Sequence, residues 1–107
     1  MNLPEPISDY FDADKALGGG APTQVFTPTA VVFDEGKSHV GHEAIAAWWR
    51  GAKQKYQHTA VPIEFNERDA LAEVRAVVTG RFPGSPATLT FVFGLEGGRI
   101  SSLKIAA

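Results

Sequence analysis

The chain has 107 residues, with ten Lys and Arg against twelve Asp and Glu, and no cysteine. That length makes one domain, 1–107, large enough to bury a core without staples. The missing thiols exclude disulfides, thiolate nucleophiles and cysteine-based zinc sites, and a net charge of −2 with no Lys/Arg run argues against a nucleic-acid partner.

Residues 4–17 read as a first helix. Pro4 suits its first turn, and Ile7, Tyr10, Phe11 and Leu17 recur at helical spacing. Asp14 falls on the same apolar stripe and is the anomaly there. Gly18-Gly19-Gly20 is expected to stop the helix. The first ten residues carry Glu5 and Asp9 and no apolar stretch, so no signal peptide is expected. No apolar run is long enough to span a bilayer, and a soluble cytoplasmic protein with no membrane partner is the expectation.

Residues 21–27 read as a short second helix with Val25 and Phe26 turned inward. Ala30 to Glu35 is a strand by its β-branched and aromatic content, and 36–41 a loop. His42 to Gln57 is the clearest helix, with Ile45, Trp48, Trp49, Ala52 and Tyr56 at i, i+3, i+4, i+7 and i+11. Lys53 and Lys55 near its end suit the helix dipole.

From residue 59 the period becomes two. Thr59 to Asn66 is a strand in which Pro62 signals an edge position or a bulge. Leu71 to Phe82 follows, with Val74, Ala76 and Val78 on one face. Ala87 to Leu95 places Leu89, Phe91, Phe93 and Leu95 on one face, Glu96-Gly97-Gly98 is a hairpin turn, and Arg99 to Ala106 is the last strand. The expected order is α-α-β-α-β-β-β-β, an α+β fold. In it three helices cover one face of a curved, mostly antiparallel sheet and form a cone around a pocket. Eleven aromatic residues against six leucines fit such a ring-lined hollow. Phe26, Phe33, Phe65 and Phe82 are expected in plain core. Tyr10, Trp48, Trp49, Tyr56, Phe91 and Phe93 are the candidates to frame the hollow.

Several residues can carry chemistry. Asp34 follows four apolar residues on the first strand, and a carboxylate at the rim of an apolar pocket can act as a general base near neutral pH. Asp34 and Glu35 point to opposite faces, so only one looks inward. Tyr10 lies on a buried stripe, where a phenol either finds a core partner or polarises a ligand carbonyl. Asp14 is a second pocket acid or a helix-end residue pairing with Lys15 or solvent. His39, in the loop above the pocket, is a candidate proton relay. His39 and His42 have no third ligand at a defined spacing, so no metal is expected. His58 can simply meet a helix C-terminus. Trp48 and Trp49 are about 100° apart on their helix, so one can face the sheet and the other a cavity.

The order and spacing of several segments resemble the nuclear-transport-factor-2-like superfamily and, within it, SnoaL-like proteins. The segments are Tyr10-Phe11, 25–34 (VFTPTAVVFD), 41–45 (GHEAI), 79–86 (TGRFPGSP) and Gly97-Gly98-Arg99-Ile100. Together they are fairly specific for fold and weak for activity. The resemblance implies a pocket between helices and sheet. Against ketosteroid isomerase, Asp34 matches the base and Tyr10 the oxyanion tyrosine. The isomerase's second acid does not carry over, since Thr90 or Phe91 stands in that region. The expectation is a pocket for a small hydrophobic or cyclic molecule. If the protein is catalytic, cofactor-free isomerase, cyclase, dehydratase or hydrolase chemistry would use Asp34, Tyr10 and His39, with Asp14, Trp48, Trp49, Tyr56, Phe91 and Phe93 around the ligand. The rival readings are a non-catalytic binding module and an association domain. A homodimer through the sheet is expected.

Overall fold

The computed structural model describes residues 1–16 and 18–107. Helix α1 (Glu5–Asp14) opens beneath Pro4, whose carbonyl accepts hydrogen bonds from the amides of Ile7 and Ser8. It ends at Asp14, before the glycines, and Leu17, assigned above to its apolar stripe, lies outside the described residues. The second helix expected at 21–27 is not there. Only one 3-10 turn forms, Thr23–Val25, and strand β1 (Phe26–Asp34) starts directly after it. The physical reason is composition: β-branched and aromatic residues from Val25 onward favour extended backbone. Phe26 does face inward, fully buried, but from a strand.

A second difference follows. Residues 37–40, read above as loop, form strand β2 (Lys37–Val40), paired antiparallel with β1 so that Asp34 faces Lys37. The connection is a two-residue hairpin in which Glu35 and Gly36 both have positive φ, 53° and 76°, the backbone that tight hairpin turns require.

Helix α2 (Gly41–Tyr56), the third helix of the sequence reading, buries Ile45, Trp49 and Lys53 at successive four-residue steps. Gln57, in the left-handed conformation at φ 47°, stops it and donates its amide to the Lys53 carbonyl at 2.8 Å. The chain then turns into β3 (Thr59–Arg68), β4 (Leu71–Thr79), β5 (Ala87–Glu96) and β6 (Arg99–Ala106). The six strands lie in the order β2-β1-β6-β5-β4-β3, and only the β1–β6 pair is parallel. β3 is an edge strand, and its register shifts between Pro62 and Glu64, so Pro62 marks both features it signalled.

Alternation turns Ala72, Val74, Ala76 and Val78 of β4 and Phe91 and Phe93 of β5 toward the helices. Tyr10 is the hub of this core. Its ring meets Phe11, Phe26, Trp49, Phe91 and Phe93 edge to face, with centroids 5.2 to 6.3 Å apart. Such pairs add about 0.5–1.5 kcal/mol each beyond area burial. Among the described residues the architecture is α+β, with two helices on a six-stranded, mostly antiparallel sheet.

Candidate functional site

The helices do not fill the concave face of the sheet. A cavity of about 590 Å³ remains, bounded by Tyr10, Trp48, Trp49 and Tyr56 on the helical side and by Val78, Leu89, Phe91 and Ile105 on the sheet, with Phe82 also on its wall. Asp34, Glu35 and His58 supply ionisable groups to its lining, and Lys104 lies at its margin.

Asp34 is the last residue of β1, in step with the buried Ala30 and Val32, and this alternation directs it toward α2. There the Trp48 indole N–H donates to Asp34 Oδ2 at 3.0 Å. Burial pushes the Asp34 carboxyl above its ordinary value of 3.8, and Glu35 pushes the same way, against the Trp48 hydrogen bond. Two turns further along α2, the Tyr56 hydroxyl donates to Glu35 Oε2 at 3.2 Å. The end of β1 is thus tied to α2 at two points. Sequence reasoning missed the second tie, because Glu35 points away from the pocket in an ideal strand and only the hairpin turn brings it back.

Tyr10 is 2% exposed and lines the cavity at its base. Burial holds its phenol well above the usual 10, and the charges of Asp14 and Asp34 reinforce this, so it stays a hydrogen-bond donor. Trp48 and Trp49 divide as helix geometry requires. Trp49 is 3% exposed in the core, while Trp48 is half-buried and meets Asp34. Phe91 lines the cavity, whereas Phe93 is fully buried behind it and stacks on Phe91. Phe82, assigned to plain core above, is on the cavity wall. Phe33, also assigned to plain core above, is 39% exposed, with the Lys104 ammonium over its ring, and it too borders the cavity.

His39 is on β2 rather than in a loop. Its ring lies against Trp48, with centroids 6.1 Å apart, and lines a smaller hollow of about 230 Å³ that shares Asp34, Glu35, Trp48 and Tyr56 with the main cavity. His42 is occupied elsewhere, with Nε2 2.9 Å from the Phe26 carbonyl oxygen.

Asp14 is not at a fraying helix end facing Lys15 or solvent. It is 2% exposed, and Lys53 Nζ donates to its Oδ1 at 2.7 Å. The Ala60 amide donates to Oδ2, also at 2.7 Å, and His58 Nε2 lies 3.5 Å from Oδ1. Burial alone would raise this carboxyl, but hydrogen bonds from His58 and Lys53 outweigh it and hold the group below 3.8. Lys53 also donates to the Asp14 and His58 carbonyls at 2.7 Å each, and its ammonium sits over the Trp49 ring. This network joins the ends of α1 and α2 to the start of β3. Its signal in the sequence was present: an acid on the apolar stripe of α1 and a lysine in line with Ile45 and Trp49 on α2. Asp14 reaches the cavity only through His58, which lines it.

The comparisons agree with this architecture. Residues 9–103 match the model of the SnoaL-like domain. A candidate polyketide cyclase from Sinorhizobium meliloti is 47% identical, with 96% of this chain and 94% of that chain covered at a TM-score of 0.91. A Catenulispora acidiphila protein with a ketosteroid isomerase-like fold, solved with trimethylamine, superimposes at a TM-score of 0.84 with 17% identity, covering 99% of this chain and 87% of that one. A cystatin-fold protein from Novosphingobium aromaticivorans superimposes at 0.78 with 19% identity, covering 100% and 99%. No curated protein matches the chain. Fold, residue match and the 47% identical relative lead to one conclusion: the chain belongs to the SnoaL-like domain family.

Proposed function

We propose that the protein binds a small hydrophobic or cyclic molecule in the cavity between α2 and the sheet, and acts on it by cofactor-free acid–base chemistry. The observation that carries this reading is Asp34. It is a carboxyl on an apolar cavity wall, raised above its ordinary value by burial and held in place by the Trp48 indole. A carboxylate with raised affinity for a proton, positioned by a fixed donor, is suited to take a proton from a bound carbon acid or from a water. Tyr10, a buried phenol that stays protonated, supplies a donor for the oxygen on which charge develops. Isomerisation, cyclisation, dehydration and hydrolysis can each be run by a base and a hydrogen-bond donor of this kind. The candidate polyketide cyclase at 47% identity supports the same class of chemistry.

A panel of enolisable cyclic ketones and epoxides tests the reading, followed by proton exchange into deuterated solvent and by product formation. The wild type is expected to turn over at least one compound, and Asp34→Asn to lose about 10²–10⁴-fold in rate, the range general base catalysis contributes. Turnover left unimpaired by Asp34→Asn would remove Asp34 from the mechanism. The rival reading, a binding module without chemistry, is favoured by β5, where Thr90 and Phe91 occupy the region of the isomerase's second acid. A ligand that co-purifies unchanged, with no turnover of the panel, would decide for it.

A further inference from the structure

The cavity has a second polar pole that neither the resemblance nor the proposed chemistry uses. His58 follows the end of α2 and lines the cavity. Its Nε2 lies 3.5 Å from Asp14 Oδ1, and its backbone carbonyl accepts from Lys53 Nζ at 2.7 Å. Gly80, just past the end of β4, presses on it so closely that a Cβ there would stand 2.9 Å from the His58 Cα and Cβ. The backbone of His58 is therefore held by Lys53 and Gly80, and its ring is oriented by Asp14. An imidazole with one nitrogen turned to a carboxylate keeps the other, Nδ1, as an acceptor when neutral and a donor when charged. Asp34 meets α2 at Trp48, and the rise from Trp48 to Tyr56 is about 12 Å. Two polar poles thus stand at different levels of one apolar cavity, each able to reach a different part of a bound ring system.

We propose that His58, anchored by Asp14, is a ligand-contacting residue that recognises a hydroxyl or carbonyl oxygen on the cyclic molecule held in the cavity. This deepens the reading above and rests on its cavity, but not on catalysis.

The test compares two probes of one shape, naphthalene and 2-naphthol, by calorimetric titration and by quenching of tryptophan fluorescence. The hydroxyl makes naphthol the less apolar molecule, so burial alone favours naphthalene. The wild type is expected to bind 2-naphthol about tenfold more tightly than naphthalene, the worth of one good hydrogen bond. His58→Phe should abolish that preference while keeping the naphthalene affinity, and His58→Gln, which retains a polar end, should keep part of it. Asp34→Asn should leave the preference in place. Equal binding of the two probes by the wild type overturns the proposal and leaves the cavity reading standing. A preference that survives in His58→Phe, or vanishes in Asp34→Asn instead, overturns the proposal as well. Failure of both probes to bind overturns the cavity reading and the proposal together.

Discussion

Lys53 and Asp14 put two opposite charges among aromatic rings, with side chains 6% and 3% exposed. Desolvation on this scale is offset only because nearly every polar atom has a partner: two carbonyls and a carboxylate for the ammonium, an ammonium, an imidazole and an amide for the carboxylate. Removing one partner strands the other. Lys53→Met is expected to cost about 3–5 kcal/mol in urea denaturation at pH 7, and a loss below about 1 kcal/mol would contradict this account of the network. The pH dependence has a definite sign. The Asp14 carboxyl is lowered in the folded state, so its contribution is present above its ordinary 3.8 and lost as pH falls through the folded value. Wild-type stability should therefore fall in that acid window, and more steeply than that of Lys53→Met. The polar pattern of these residues was legible in the sequence, since Asp14 interrupts an apolar stripe. Their pairing was not, because residues 39 positions apart meet only through the packing of α1 on α2.

At the scale of elements, the junction of α2, β3 and β4 sets the depth of the cavity. The Arg81 amide donates to the Tyr56 carbonyl at 2.6 Å, and Gly80 passes so close that a Cβ would lie 2.7 Å from the Tyr56 carbonyl oxygen. Both obstacles at Gly80 are backbone or the root of a side chain, so they cannot swing aside. Gly80→Ala should destabilise by about 1–3 kcal/mol, the usual cost of overpacking, and should displace His58 enough to weaken 2-naphthol binding. Unchanged thermal denaturation would contradict this. Periodicity predicted α2 and the four-stranded meander well, because those elements carry long amphipathic patterns with one buried face. It failed at 21–27 and 37–40. The reading of 21–27 rested on Pro22 and on two adjacent apolar residues, Val25-Phe26, which carry no helical period, and β2 has only four residues, with Lys37, Ser38 and His39 giving no apolar alternation. The β1–β6 pairing brings the end of β1 beside the meander, and no local pattern encodes so distant a parallel contact.

At the scale of the whole molecule, the abundance of rings has two destinations. Phe11, Phe26 and Phe93 make dense core, while Tyr10, Trp48, Trp49, Tyr56, Phe82 and Phe91 line the cavity. One face of the sheet carries the helices and cavity; the other face is open, and Val61 and Leu71 are 55% and 41% exposed. We propose that this open face pairs with a second copy of the chain. Sedimentation at micromolar concentration should give a dimer mass, and Val92→Lys, a charge on the same face of β5 as Thr88 and Thr90, should shift it to monomer. A wild-type monomer would contradict the pairing.

Burial beside the cavity is what raises the proton affinity of Asp34 above that of an ordinary aspartate. Carbon-13 NMR titration of its carboxyl carbon, assigned by comparison with Asp34→Asn, measures this without knowing the substrate. The midpoint is expected above 3.8, rising further when an apolar ring fills the cavity and removes more water from the carboxyl. A midpoint at or below 3.8, unmoved by any ligand, would contradict it.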